Sequence, residues 1–421
     1  MSLTRVTSPA GSLAVRRCAV RIVNPSCCGL DVHKKSVVAC VLTPQGRQTK
    51  TFGTATKELL LLADWLREQE VTHVAMESTG VYWKPVYNLL EGEFTVWVVN
   101  AQHIKQVPGR KTDVKDAEWI AELLQYGLVK PSFIPQRAQR ELRELVRYRR
   151  SLIQEQARVV NRLQKVLEGA NIKLSSVASS VVGASGLAML SAIAEGVEDP
   201  HALADLAKGT LRQKRGELEE ALRGLVGEHQ RLLIKMELDH LGFIGEKVAT
   251  LDEEVARRMG PFEEVVQRLD TIPGVGRRTA EAILAETGTD MAQFPTAAQL
   301  ASWAGVCPGN RQSAGKRKRT PAMRGNAWLR TALVEAARAA ARGKTYLAAQ
   351  YHRIAARRGA NRAALAVAHS IAVILHNMLS RGTSYFNLGV NYFDERDRQA
   401  TLKRSIRRIE RLGYKVTLEA A

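Results

Sequence analysis

The chain has 421 residues, of which 45% are hydrophobic and 25% are charged. This is the composition of a globular protein with room for two or three domains, and it excludes a wholly disordered chain. The net charge is +20, and residues 301–421 alone hold 23 Lys and Arg against 6 Asp and Glu. A positive charge concentrated at one end indicates a polyanionic partner, and nucleic acid is the commonest one.

Signals for export or membrane insertion are weak. Residues 1–25 are basic but lack a continuous apolar run, so we expect a flexible arm rather than a signal peptide. A long uncharged run at residues 363–380 contains His369 and His376 and predicts a buried helix rather than a membrane span. Five cysteines without zinc or redox spacing favour a reducing compartment. We therefore expect a cytoplasmic protein with no membrane partner.

Residues 26–135 alternate strand and helix patterns, which predicts an α/β domain with a mixed sheet. The segments concerned are strands near 29–32, 36–42, 71–76 and 94–99, and helices near 59–66, 81–90 and 117–124.

The remainder of the chain has helical patterns. Residues 136–268 contain two long Leu-rich helical stretches around a Ser/Ala/Gly-rich connector near 171–194, which predicts an antiparallel coiled-coil arm. We expect the connector to be a hinge or to be loosely packed. Residues 269–381 predict a basic α-helical domain, and residues 382–421 a basic tail.

Four acidic residues stand at unusual places in the first domain. Asp31 interrupts an apolar strand, Glu77 ends one, and Asp113 and Asp116 share a face at a helix start. Each has an ordinary explanation, either a turn at a strand end or stabilisation of the helix dipole. Together, four carboxylates can hold two Mg²⁺ ions, which stabilise the attacking and leaving oxygens of a phosphoryl displacement.

Two segments of the C-terminal domain suggest contact with phosphate. The sequence Ile-Pro-Gly-Val-Gly at 272–276 is typical of a helix-hairpin-helix module, in which Gly274 and Gly276 let the backbone approach DNA; the alternative is an ordinary helix connector. Downstream, Ser313 lies in a polar, cationic loop. It is either an ordinary loop serine or a nucleophile that the cations hold against a phosphate.

Basic residues around these segments are the candidates for nucleic-acid contact. They flank the acids, follow one face of the first long helix, where we expect RNA to bind together with the C-terminal domain, and surround Ser313. The residues are Lys34, Lys35, Arg110, Lys111, Lys115, Arg143, Arg147, Arg150, Arg311, Lys316, Arg317, Lys318 and Arg319.

Five motifs in this order resemble the DEDD-type transposases of bacterial insertion sequences, the bridge-RNA-guided recombinases. They lie at 29–34, 76–83, 111–117, 272–276 and around Ser313, and the resemblance spans roughly residues 27–381. It implies a RuvC-like (RNase H-like) domain, a coiled-coil arm and a C-terminal transposase domain. The DEDD carboxylates then match Asp31, Glu77, Asp113 and Asp116, and the family's serine matches Ser313.

The resemblance also implies partners and an assembly. Family members form tetramers with composite active sites, and a structured guide RNA pairs with target and donor DNA. We therefore expect an RNA-guided DNA recombinase in the bacterial nucleoid, a dimer or tetramer that uses Mg²⁺ and a serine–DNA ester. Two alternatives stay open: a RuvC-like nuclease that activates water, and a non-catalytic architectural nucleic-acid-binding protein.

Overall fold

The structure is a computed structural model that describes residues 21–78, 80–100, 116–308, 311–313, 316–318 and 325–417. The chain divides into two compact units, Met1–Arg137 and Ala138–Ala421. The first unit contains a mixed sheet with helices, and the described part of the second is helical apart from two short strands. An α/β domain followed by a helical remainder, as the sequence predicts, is confirmed; the finer domain boundaries stay predictions.

The sheet of the first unit has five strands in the order β3-β2-β1-β4-β5. The central strand β1 is antiparallel to β2 and parallel to β4, and β4 is parallel to β5. The sequence pattern missed β3, because this edge strand is exposed and mostly polar and so lacks an apolar alternation. The strands are β1 (Cys27–Val32), β2 (Ser36–Thr43), β3 (Gly46–Gly53), β4 (His73–Glu77) and β5 (Thr95–Val99).

Helices cover both faces of this sheet. Alternation along β1 sends Cys28 and Leu30 into a core with α1 and α2, and sends Cys27 to the opposite face, against α3. Leu30 is fully buried, which contributes about 1.5–3 kcal/mol relative to an exposed side chain. The helices are α1 (Thr56–Glu68), α2 (Trp83–Leu90) and α3 (Asp116–Gln125).

Two long helices dominate the first half of the second unit, α4 (Arg137–Gly169) and α9 (Glu228–Met259). They run antiparallel, because their ion pairs join the late part of one to the early part of the other. These pairs are Arg149–Asp252, Arg258–Glu141 and Arg162–Glu237, and His240 also lies 3.4 Å from Glu155.

Short helices between α4 and α9 form a packed cap. Met189, Leu190 and Ile193 are buried in one core with residues of α4 and α9. The expectation of a loosely packed connector is therefore wrong: small residues here permit close approach, and a Cβ at Gly186 would lie 2.2 Å from the Val181 carbonyl oxygen. The cap comprises α5 (Leu174–Val177), α6 (Ala184–Ala194), α7 (Pro200–Asp205), a 3-10 helix (Gly209–Lys214) and α8 (Arg215–Ala221).

The C-terminal helices pack around a single long helix, α15 (Ala360–Arg381). Within the described residues it is the one helix long and apolar enough by composition to cross a membrane. It buries Val367, Ile371 and Leu375 among its neighbours, so the buried helix predicted at 363–380 is confirmed. The other helices are α10 (Glu263–Asp270), α11 (Arg277–Thr287), α12 (Ala297–Trp303), α13 (Ala327–Ala340), α14 (Tyr346–Arg358), α16 (Tyr392–Arg396) and α17 (Arg398–Glu410), with a 3-10 turn at Gly260–Phe262.

Candidate functional site

Asp31 and Glu77 occupy equivalent positions on neighbouring parallel strands. The β1–β4 register pairs Leu30 with Met76, and each of these residues is followed by an acid. Side chains alternate along a strand, so the two carboxylates lie on the same face of the sheet, on strands about 5 Å apart. Both stand near the carboxyl ends of their strands, where open α/β sheets bind ligands.

Helix α3 lies over this face of the sheet and begins with Asp116. It packs closely on β1 because Gly29 has no side chain: a Cβ there would lie 2.2 Å from the Ala117 carbonyl oxygen and 2.4 Å from the Ala121 nitrogen. Asp116 directly precedes Ala117 and is exposed. The first turn of α3 therefore belongs to the same face of the sheet as Asp31 and Glu77.

The Asp31 carboxylate lies beside a histidine and is followed along the chain by two lysines. Its carboxylate is 26% exposed, and Oδ2 lies 2.9 Å from Nε2 of His33. Lys34 and Lys35 are exposed in the turn between β1 and β2, directly after this pair. Asp113, Arg110, Lys111 and Lys115 fall outside the described residues.

The carboxylates offer the oxygen atoms that hard cations prefer. Within the ranges that the structure describes, no three His, Cys, Asp or Glu side chains are grouped closely enough to hold a metal ion. Thus the donor chemistry fits Mg²⁺, and the four-carboxylate site stays a prediction.

Ser313 belongs to a two-stranded hairpin rather than to an irregular loop. Strands β6 (Arg311–Ser313) and β7 (Lys316–Lys318) are antiparallel, and Ser313 pairs with Lys316. Two residues separate these partners, so the serine stands at the turn end of the hairpin. Arg317 lies within β7, whereas Arg319 lies outside the described residues.

The segment that carries this hairpin is closed at its base. The backbone N–H of Asn326 donates to the Trp303 carbonyl oxygen at 2.8 Å. A Cβ at Gly325 would lie 2.3 Å from the Gly305 nitrogen, so the two ends of the segment touch there. The Asn326 side chain caps α13 by accepting from the amides of Trp328 and Leu329.

A buried carboxylate holds Asn326 in place. Glu286, whose side chain is 4% exposed, accepts from Nδ2 of Asn326 at 2.6 Å. It also accepts two hydrogen bonds from Arg147, at 2.7 and 2.8 Å. Sequence patterns do not identify Glu286 and Asn326; the one available signal is that Glu286 ends the apolar stretch 282–285.

The arginines predicted to bind nucleic acid along α4 are engaged within their own unit. Arg147 binds Glu286, and Arg150 lies 2.5 Å from a carboxylate oxygen of Glu335. Arg143 donates to the carbonyl oxygens of Ala285 and Glu286, and burial lowers its pKa to about 10. These contacts give the three arginines a structural role, and their binding to nucleic acid stays a prediction.

The predicted hairpin at 272–276 joins α10 to α11. Gly274 has a φ of 87°, and a Cβ there would lie 2.2 Å from the Ala336 carbonyl oxygen, so close packing on α13 explains this glycine. Gly276 is exposed and precedes the first residue of α11. Of the two glycines, Gly276 is thus the one left facing solvent.

Comparison with known proteins agrees with these observations. A DEDD-type IS110 transposase family model matches residues 28–172, and a second model, for transposases of the IS116/IS110/IS902 family, matches residues 266–353. The first interval contains all four predicted acids, and the second contains the hairpin at 272–276 and Ser313. Together the two models cover more than half of the chain.

Two curated transposases resemble most of the chain. A probable family 20 transposase from Pseudomonas aeruginosa is 27% identical over 330 residues, which are 76% of this chain and 88% of that protein. The transposase for insertion sequence element IS1111A from Coxiella burnetii is 28% identical over 369 residues, covering 85% and 90%. With both family models matched in order, the chain belongs to the IS110 family of insertion-sequence transposases.

Proposed function

We propose that this transposase cuts and rejoins DNA strands through a serine–DNA phosphoester, with Mg²⁺ held by Asp31, Glu77, Asp113 and Asp116. The observation that carries the proposal is the β1–β4 register, which brings Asp31 and Glu77 to one face under the start of α3. The strand order β3-β2-β1-β4-β5 supports a RuvC-like (RNase H-like) domain. The matched DEDD-type family model supports the choice of these four acids.

Ser313 is the proposed nucleophile. Its Oγ forms a bond to the phosphorus of a DNA phosphodiester, and the bond from phosphorus to the leaving strand's oxygen breaks. The serine proton ends on that oxygen, which becomes a free hydroxyl. A hydroxyl of another strand then reverses the exchange, so phosphodiester energy is conserved without a high-energy cofactor. When bound, Mg²⁺ supplies stabilisation of negative charge at the reacting oxygens.

The proposed assembly is a homo-oligomer, a dimer or tetramer, that joins the acids of one subunit to the serine of another. Helix α9 supports this, because it exposes Leu232, Met236 and Phe243, whose surfaces are 60%, 58% and 57% accessible. Exposed apolar stripes of this kind are typical of protein interfaces. The antiparallel α4–α9 pair that carries them would then be the coiled-coil arm.

The proposed partners are target and donor DNA and a structured guide RNA, and the proposed location is the bacterial cytoplasm. The uneven positive charge supports a nucleic-acid partner. Aromatic residues make up only 5% of the chain, which favours recognition of helical RNA through phosphate and shape over stacking on single strands. RNA that copurifies with the protein should be one species encoded by the element.

A denaturing gel with labelled element-end DNA tests the chemistry. We expect a covalent protein–DNA adduct that maps to Ser313 and disappears in Ser313→Ala, while DNA binding persists. Cleavage without any adduct would favour the water-using nuclease, and no cleavage in Mg²⁺ would favour the architectural protein. Mixed oligomers of Asp31→Asn and Ser313→Ala subunits should recover part of the activity if the site is shared between subunits.

A further inference from the structure

We propose that a basic groove between α13 and α15 binds the phosphate backbone of DNA. The groove has a volume of about 540 Å³. Arg330 and Arg338 line it from α13, and Arg362 and Asn361 line it from the first turn of α15. Neither family resemblance nor sequence motif singled out these residues.

The groove is positive because its neighbourhood contains almost no acids. From Ala336 to Phe393 the sequence has no Asp or Glu. Helix α13 has one acid, Glu335, which already pairs with Arg150. Among the residues that the structure describes, none of the three groove arginines has a carboxylate at ion-pair distance. Desolvated phosphate oxygens would supply the missing counter-charges.

The spacing of the arginines suits a nucleic-acid strand. Arg330, Val334 and Arg338 recur every four residues and therefore share one face of α13. Arg330 and Arg338 are about 12 Å apart along the helix axis, a length over which one DNA strand rises by three or four phosphates (about 3.4 Å each along the duplex axis) when α13 follows that axis. Arg362 stands across the groove, in the positive first turn of a 22-residue helix.

Two further details distinguish the groove from a general basic surface. Arg338 donates from Nη2 to Oδ1 of Asn361 at 3.3 Å, so a neutral amide bridges the two helices. Both side chains keep additional donors for phosphate and sugar oxygens. Arg330 lies one helical turn beyond Asn326, where the segment with Ser313 ends.

This position relates the groove to the chemistry. DNA held along α13 would pass the base of the Ser313 segment and be presented to it. That extension rests on the proposed function, whereas binding in the groove does not, because it requires no strand cleavage. DNA is the expected ligand since the chain belongs to a transposase family; structured RNA and acidic protein surfaces are the competing occupants.

The test is a triple substitution, Arg330→Gln with Arg338→Gln and Arg362→Gln, assayed by binding of labelled duplex DNA over a range of salt. The matched control removes the same charge at three exposed arginines that already pair with acids, Arg215→Gln, Arg223→Gln and Arg257→Gln. A lysine version of the groove triple retains the charge. All variants are also made with Ser313→Ala, so that binding is measured without cleavage.

We expect the groove triple to lower the slope of log affinity against log salt by about 2.7, or about 0.9 per lost phosphate contact. Raising salt from about 50 mM to about 200 mM should then lower the DNA affinity of the unsubstituted protein about 40-fold more than it lowers that of the groove triple. The control triple should behave like the unsubstituted protein, and the lysine triple should retain most of the slope. Thermal unfolding should change little, because the three side chains form no ion pairs in the described structure and the substitutions remove only the exposed Arg338–Asn361 hydrogen bond.

Three results would overturn the inference. Equal weakening of DNA binding by the control triple and the groove triple would indicate general surface charge. Loss of binding to the element's structured RNA by the groove triple, with DNA binding retained, would assign the groove to RNA. Unchanged DNA affinity and slope would exclude phosphate contact there. Persistence of strand exchange in Ser313→Ala contradicts the proposed function alone and leaves the groove result standing.

Discussion

The acidic face of the sheet and the segment that carries Ser313 are held in different ways. On the sheet, backbone register places Asp31 beside Glu77, and a glycine admits α3. At the base of the serine segment, a buried side-chain network of Glu286, Arg147 and Asn326 fixes the chain. The comparison indicates that the sheet should tolerate changes at its carboxylates without unfolding, whereas the serine segment should not tolerate loss of its buried acid.

The largest expected effect is on catalysis, at the acidic face. Asp31→Asn should reduce DNA cleavage by about 10³-fold, because several kcal/mol of charge stabilisation depend on hard-cation ligands. DNA binding and thermal unfolding should change little, since Asp31 is near the surface and pairs only with His33 among the described residues. Glu77→Gln and Asp116→Asn should behave likewise.

The matched control for this prediction is Asp64→Asn on α1, an exposed acid paired with Arg67. It should cleave at the unsubstituted rate. Cleavage by Asp31→Asn at that same rate in Mg²⁺ would remove Asp31 from the metal site.

The next effect is on stability, at the serine segment. Glu286→Ala should lower the free energy of unfolding by about 3–5 kcal/mol, because it leaves Arg147 and the largely buried Arg143 without their carboxylate. Limited proteolysis should also cut between residues 306 and 325 faster, since Asn326 loses its acceptor.

Glu335→Ala is the comparison, because Glu335 also pairs with an arginine but is 57% exposed. Its effect on unfolding should be below about 1 kcal/mol. Equal destabilisation by the two substitutions would mean that burial of Glu286 does not determine its importance.

Gly29→Ala tests the packing of α3 on the acidic face of the sheet, and its effect on stability should be intermediate. The added Cβ would meet the backbone of α3 at Ala117 and Ala121, so the helix must move. Overpacking of this kind costs about 1–3 kcal/mol, measured by chemical denaturation. Cleavage should fall with it, because Asp116 moves with α3. Gly92→Ala, where a Cβ meets nothing within 4 Å, should leave both unchanged.

The sequence predicts the acidic face of the sheet better than it predicts the side-chain network that holds the serine segment. Asp31 and Glu77 are visible because one carboxylate interrupts an apolar strand and the other ends one, and their shared face follows from strand geometry. The role of Arg147 was not visible, since its partner Glu286 lies 139 residues away and a helix reveals its own charges but not its neighbours. The connector at 171–194 was misjudged for a related reason: small residues predict weak packing locally, yet they permit backbone contact, as at Gly186.

The smallest expected effect is a loss of folding stability at alkaline pH, which comes from Cys27 in the core between the sheet and α3. Burial raises the pKa of Cys27 to about 12, whereas in the unfolded chain the thiol ionises near its ordinary value of 9.0. Between these values the unfolded state loses the proton while the folded state keeps it, so unfolding becomes easier as pH rises. Each pH unit above about 9 should cost about 1.4 kcal/mol from this group. Chemical denaturation of the unsubstituted protein and of Cys27→Ala at pH 8 and pH 10 isolates the contribution of this thiol. The difference between their free energies of unfolding should shrink as pH rises, because alanine has no proton to lose. A constant gap between them would show that Cys27 ionises alike in both states and that its burial does not govern its protonation.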